Sequence, residues 1–143
     1  MSDRKSKSFQ NRITNDYITS LKENEIFVFG SNESGIHGGG AAKLAMKWGA
    51  EYRNPEGIQG NTYAIPSKDK SIFRTLEISE IKPYVDNFIE YAKNNEDKTF
   101  FVTEIGCGLA GLTPEQVAPL FEGTIFVKNV HLPLKFWNII TNL

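Results

Sequence analysis

Ile26-Phe27-Val28-Phe29 runs without a break into Gly30-Ser31-Asn32-Glu33-Ser34-Gly35-Ile36-His37-Gly38-Gly39-Gly40-Ala41-Ala42, and the join between these two segments decides the fold. A continuous apolar run suits a strand covered on both faces, which predicts a central sheet with residues 25–29 inside it. The glycine-bearing segment is then the turn after the strand, and residues 41–48 are the helix it opens. Gly35, Gly38, Gly39 and Gly40 put no Cβ into the bend. Backbone N–H groups can therefore converge on an anion there, and a helix N-terminus adds its partial positive charge. A P-loop needs Lys and Ser/Thr directly after its last glycine, where Ala41-Ala42 stands, and no G-x-G-x-x-G can be drawn through these residues. The bland alternative is a glycine turn serving only strand-to-helix packing.

A matching segment lies downstream. Residues 99–105, Thr-Phe-Phe-Val-Thr-Glu-Ile, read as a second buried strand, followed by Gly106-Cys107-Gly108-Leu109-Ala110-Gly111-Leu112. Thr113-Pro114-Glu115-Gln116 is a capping box with proline at the first helical position, so a helix is expected over residues 113–121. In an open α/β sheet such loops gather outside the carboxyl ends of strands, and two of them make a cleft for an anion carrying two phosphate-sized charges.

Around these segments, Ile13, Tyr17, Ile18 and Leu21 recur at helical spacing, and residues 51–61, with Pro55, Gly57 and Gly60, read as a loop before a strand over residues 62–66. Ser79 is expected to cap a long helix whose apolar face is Ile81, Val85, Phe88, Ile89 and Ala92, ending at Asn94-Asn95, with Pro83 awkwardly inside its first turns. Residues 124–127 are expected to form a further strand, and an apolar stretch, residues 134–143, follows Pro133. Alternating strands and helices point to a three-layer α/β/α sandwich around a central mixed sheet, a single domain over residues 11–143 behind a loose tail of residues 1–10.

The chain has 143 residues, enough to bury a core without disulfides or metal. A formal net charge of −1 does not favour an extended nucleic-acid-binding surface, which would be basic. Cys107 is the one cysteine, so no internal disulfide can form. No apolar membrane span or signal-peptide core is evident, and a cytoplasmic protein, a monomer without a cofactor, is expected. Two histidines and one cysteine make no metal-ligand pattern.

Asn32, Gly35, Gly38, Gly40 and Ala42 fit the form Asn-x-x-Gly-x-x-Gly-x-Gly-x-Ala, Gly106-Cys107-Gly108 precedes a capped helix, and Tyr63-Ala64-Ile65-Pro66-Ser67-Lys68-Asp69 is an apolar strand ending in a lysine. In these features, over about residues 26 to 122, the chain resembles the macrodomains that bind and process ADP-ribose. It is most similar to the branch that holds antitoxins removing ADP-ribose from DNA and hydrolases removing terminal ADP-ribose from glutamate. It is also similar to small phage-associated macrodomain-like proteins. The resemblance implies that Gly35, His37, Gly38, Gly39, Gly40 and Ala41 bind the ligand from the first loop. It implies the same of Gly106, Cys107, Gly108, Leu109, Ala110 and Gly111 from the second.

Lys68 matches the family's nucleophile, which attacks the anomeric carbon of the distal ribose. Chemically, an amine near helix N-termini in a partly desolvated cleft gives up its proton more readily and so becomes a nucleophile. An exposed lysine beside Asp69 and Lys70 is otherwise an ordinary surface charge. The glutamate-directed hydrolases also place an aspartate shortly after Gly-Cys-Gly. Ala110 stands there in this chain, as a non-acid does in the DNA-directed antitoxins, which puts a second catalytic group in doubt. Glu104 is a candidate proton acceptor or a cap for loop amides.

Asn32 suits a ribose hydroxyl next to the anomeric carbon, or an Asx turn within its own loop. His37 could protonate a leaving group or merely cover the ligand. A Cys107–His37 nucleophile pair is the less economical reading of a small residue between two glycines. Asp16 sits near the family's acid for the adenine amino group, and Phe136 or Trp137 would stack on the base or belong to the core. Three functions follow. One is hydrolysis of ADP-ribose from a modified nucleic acid or protein, another is binding of ADP-ribose or a related nucleotide without turnover, and the third is a phosphatase acting on ADP-ribose phosphorylated at its terminal ribose.

Overall fold

The computed structural model describes residues 9–142. In it the apolar run becomes β1, Glu25–Asn32, whose alternate side chains enter different cores: Ile26 and Val28 one, Phe27 and Phe29 the other. That double burial is why the run is continuous rather than alternating. β1 lies at the middle of a five-stranded sheet. The other strands are β2, Gly57–Gln59, β3, Thr62–Lys68, β4, Thr99–Val102, and β5, Val130–His131, in the order β2-β3-β1-β4-β5. β3, β1, β4 and β5 run parallel, and only β2 at the edge pairs antiparallel, so the sheet is mixed.

Helices cover both faces. The larger core takes Ile81, Val85, Phe88, Ile89 and Ala92 from α2, Ile78–Lys93, where all five expected positions are buried. It also takes Val117 from α3, Pro114–Val117, and Phe136, Trp137 and Ile140 from α4, Leu134–Thr141. The smaller core packs α1, Gly40–Ala45, against Phe27 and Phe29 through Ala42 and Ala45. The result is the three-layer α/β/α sandwich. The connection from β1 through α1 leads to β3 on one side, whereas the chain after β4 leads to β5 on the other. The crevice between the carboxyl ends of β1 and β4 is thus a topological switch point, where open α/β sheets bind ligands.

Several expectations are corrected. The first helix is α over residues 40–45 only, then continues as a 3-10 turn, Met46–Trp48, stopped by Gly49 in the left-handed conformation. The long helix is capped by Glu77, not Ser79, through a reciprocal box with Glu80. The segment holding Ile13, Tyr17, Ile18 and Leu21 is not helical. Ile13 bridges to Leu132, Thr14 N–H donates to the Leu132 carbonyl, and the Asn15 side chain accepts from Tyr17 N–H, a local bond that competes with helix formation. Residues 51–61 contain β2 within the expected loop.

The strand expected over residues 124–127 is absent, since Ala118–Thr124 is 3-10 helix and a turn follows. Its carbonyls are satisfied by a side chain instead of a neighbouring strand. Buried Arg12 donates through Nη2 to Thr124 O and Val127 O at 2.8 Å each, and through Nη1 to Ile125 O and Nε to Val130 O at 3.0 Å each. Phe9, placed in the tail by sequence, stacks on Trp137 with ring centroids 4.2 Å apart, so the folded unit includes it. Residues 1–8 of that tail lie outside the described residues.

Candidate functional site

A cleft of about 730 Å³ opens at the switch point, in the size range of small-molecule sites. Its floor is the carboxyl ends of three strands: Gly30, Ser31 and Asn32 of β1, Ser67 and Lys68 of β3, and Thr103–Ile105 just beyond β4. Its walls are the two glycine loops. A Cβ at Gly30 would make only ordinary contacts, 3.4 Å from Gly106 N and 3.5 Å from Ser67 Oγ, so packing does not demand glycine there. Gly35 differs. With φ +73° and a Cβ that would meet Asn54 N at 2.5 Å, it lets the first loop pack on residues 53 and 54, outside the cleft lining.

The loops present unpaired donors. Among the described residues, the N–H groups of Gly38, Gly39, Gly40 and Ala41, and those of Gly108, Leu109 and Ala110, donate to no protein acceptor. All seven residues line the cleft. Of these amides only those of Gly40 and Ala41 belong to the short α1 and the rest belong to the loops, whereas α3 closes its own N-terminus with the Thr113/Gln116 box. At Gly38 and Gly108 a Cβ would find nothing within 4 Å, and neither has positive φ. Chain packing and backbone conformation leave the glycines there unexplained, but close approach of a ligand to the backbone would need them.

Lys68 ends β3, half-buried, and pairs in register with Asn32 of β1. Among the described residues no hydrogen bond or ion pair engages its ammonium. The Asn32 amide holds its own loop: Nδ2 donates to Ile36 O at 2.7 Å, and Oδ1 accepts from Ile36 N and Ser34 Oγ at 2.9 Å each. The Asx-turn role read from sequence is therefore occupied, which leaves one Nδ2 hydrogen for a ligand. Cys107 lines the cleft with its thiol pushed up to about 11, chiefly by burial and then by Glu104, so it is a neutral thiol at physiological pH. Glu104 lies 3.9 Å from the exposed Lys135 ammonium, a loose pair. Asp16 also lines the cleft and is exposed.

His37 and Gly111 stand outside the lining, as Gly35 does. His37 is buried under the loop, its Nε2–H donating to Glu51 O at 2.9 Å and its ring edge-on to Phe29. It thus anchors the loop from below and is not presented to the cleft or to Cys107. Phe136 and Trp137 are fully buried core residues, unavailable as a base platform. Thr14, Ile36, Leu44 and Ile72 line the cleft without having been singled out in the sequence. For the last of these, the one signal in the sequence is the side-chain turn chemistry of Asp69-x-Ser71. Among the described residues no three His, Cys, Asp or Glu side chains gather as a metal site, and no helix is long and apolar enough to cross a membrane.

No family model matches the chain, and no curated protein matches it either. One solved structure, that of a protein of unknown function from Bacteroides thetaiotaomicron, aligns with 85% of this chain and 93% of its own at a TM-score of 0.59 and 16% identity. That likeness is one of fold.

Proposed function

We propose that the cleft binds ADP-ribose and that the protein is a hydrolase removing it from a modified macromolecule, nucleic acid or protein. The observation that carries the reading is the pair of loops whose cleft-lining residues carry amides without protein acceptors, with glycines at 38 and 108 that packing does not demand. Backbone donors of this kind suit a pyrophosphate. Lys68, across from Asn32 at one end of this cradle, then supplies the nucleophile. Its amine attacks the anomeric carbon of the distal ribose as the bond to the modified group breaks, and the leaving group takes up the proton that the nitrogen gives up. Water releases the sugar from the lysine afterwards.

A second reading, a binding module without turnover, is favoured by one feature. The carboxylates lining the cleft are Asp16 and Glu104, and Ala110 occupies the position of an acid in the glutamate-directed enzymes that the sequence resembles. A cytoplasmic monomer goes with either reading. Calorimetric titration with ADP-ribose, against AMP and NAD, tests both. Micromolar affinity for ADP-ribose, equivalent to roughly −8 kcal/mol, supports the site, and its absence withdraws it. Turnover lost in Lys68→Ala with affinity retained favours the hydrolase, and no turnover in the native chain favours the module.

A further inference from the structure

Resting on the ADP-ribose reading, we infer that Ile72 is a specificity residue which the chain holds in a strained conformation to cover the distal-ribose end of the cleft. Ile72 has φ +64°, the left-handed region, where a β-branched side chain collides with its own backbone. A glycine would sit there without that cost. Such outliers persist only where the surroundings over-determine them, and they concentrate at ligand sites.

The surroundings here are unusually complete. Asp69 Oδ1 accepts from Ser71 N at 3.0 Å and from Ser71 Oγ, and Asp69 Oδ2 accepts from Arg74 Nε at 3.1 Å. The same Arg74 forks onto both Glu80 oxygens at 2.9 and 3.1 Å, and Ile72 N–H donates to Asp69 O at 3.0 Å. An isolated bridge between Lys68 and Thr75 folds the loop back over its own start, and Thr75 Oγ1 donates to Ala110 O at 2.6 Å, which fastens it to the second glycine loop.

What this frame delivers is the Ile72 side chain into the cleft lining, half-buried, while its neighbour Phe73 is left in solvent. Because the loop starts at Lys68, the apolar group lies at the end where the anomeric carbon would be. There it shields the sugar from bulk water and limits what is attached to it. Ligands that lack the distal ribose do not reach this wall.

The test compares the native protein with Ile72→Gly and Ile72→Asn, two residues that tolerate positive φ. Each is titrated with ADP-ribose and with ADP, and its melting temperature is measured. The expected result is an affinity for ADP-ribose reduced about five- to tenfold and for ADP unchanged within about twofold, with melting temperatures equal to or above the native one. Unchanged ADP-ribose affinity, or equal losses for both ligands, overturns the specificity role, and a lowered melting temperature in both variants overturns the strain. A native protein that binds neither ligand withdraws the ADP-ribose reading itself and with it the specificity role, whereas the melting comparison still decides whether Ile72 is strained.

Discussion

Asn32 and Lys68 stand opposite each other at the carboxyl ends of β1 and β3, directly after a break in register between Ser31 and Asn32. Irregularities of this kind turn side chains out of the regular alternation beside functional sites. Here the break brings a lysine with no partner among the described residues level with the amide that shapes the first glycine loop.

If Lys68 acts as a nucleophile, its charge alone is not enough. Lys68→Arg keeps a cation at the cleft but removes an amine that can give up its proton. The expected outcome is ADP-ribose affinity within about threefold of native and turnover reduced by at least about 100-fold. Single-turnover hydrolysis alongside calorimetry separates the two effects. Turnover retained by the arginine variant would assign Lys68 to electrostatic binding only.

Gly38→Ala and Gly108→Ala probe the loops. A methyl group at either position meets no protein atom within 4 Å and needs no forbidden backbone angle, so unfolding free energies should stay within about 0.5 kcal/mol of native. If ligand phosphates approach the backbone there, the same methyl groups should weaken ADP-ribose binding by about tenfold, or about 1.4 kcal/mol. Equal affinity in both variants would show that the ligand stays clear of the loops.

The residues show why some of this was legible in the sequence and some was not. Local chemistry was readable: the four apolar residues of β1, the capping box at Thr113, and the apolar face of α2 each follow from neighbours in the chain. The missed features depend on distant partners. Residues 124–127 have strand-like composition, yet their carbonyls are claimed by Arg12, more than 110 positions away, and the helical spacing after Ile13 gives way to pairing with Leu132. In the site, the two glycine loops that line the cleft are marked by local sequence, but burial of His37 beneath its own loop and delivery of Ile72 into the cleft arise from packing and a hydrogen-bonded turn that spacing does not reveal.

Arg12 should therefore be a stability residue far from the cleft chemistry. Arg12→Met keeps apolar bulk beside Phe9 and Trp137 but leaves the carbonyls of Thr124, Ile125, Val127 and Val130 without their charged donor. Urea unfolding should register a loss of about 3 kcal/mol or more, since hydrogen bonds from charged groups contribute about 1.5–3 kcal/mol each and are not additive. A loss below about 1 kcal/mol would mean that these carbonyls find other partners.

Cys107 is expected to be chemically quiet. With the thiol raised to about 11, only about one molecule in a thousand is thiolate at pH 8, so iodoacetamide should label the native protein far more slowly than it labels the urea-unfolded chain. The labelling rate should climb about tenfold per pH unit up to the limit of native stability. Fast labelling at pH 7 would reopen the thiol as a nucleophile.

Acid should loosen the frame around Ile72 from a predictable direction. Hydrogen bonds from Arg74 hold the Glu80 carboxyl down to about 2, and Ser71 followed by Arg74 lowers Asp69. For a carboxyl whose folded pKa lies below its unfolded one, the stabilising contribution is fully present above the unfolded value, here 4.5 for Glu80. It is lost as pH falls through that value towards 2. Carboxyl-carbon NMR should accordingly show Glu80 titrating near 2 in the native protein and moving back towards 4.5 in Arg74→Gln. The Ile72 methyl signals should remain unchanged at pH 5 and shift only as the pH approaches the native Glu80 midpoint near 2 if the Asp69–Arg74–Glu80 frame is what holds that side chain in place. A native Glu80 midpoint at its ordinary value, or Ile72 signals indifferent to Arg74→Gln, would mean that the turn from Asp69 to Thr75 keeps its shape without the ion pairs.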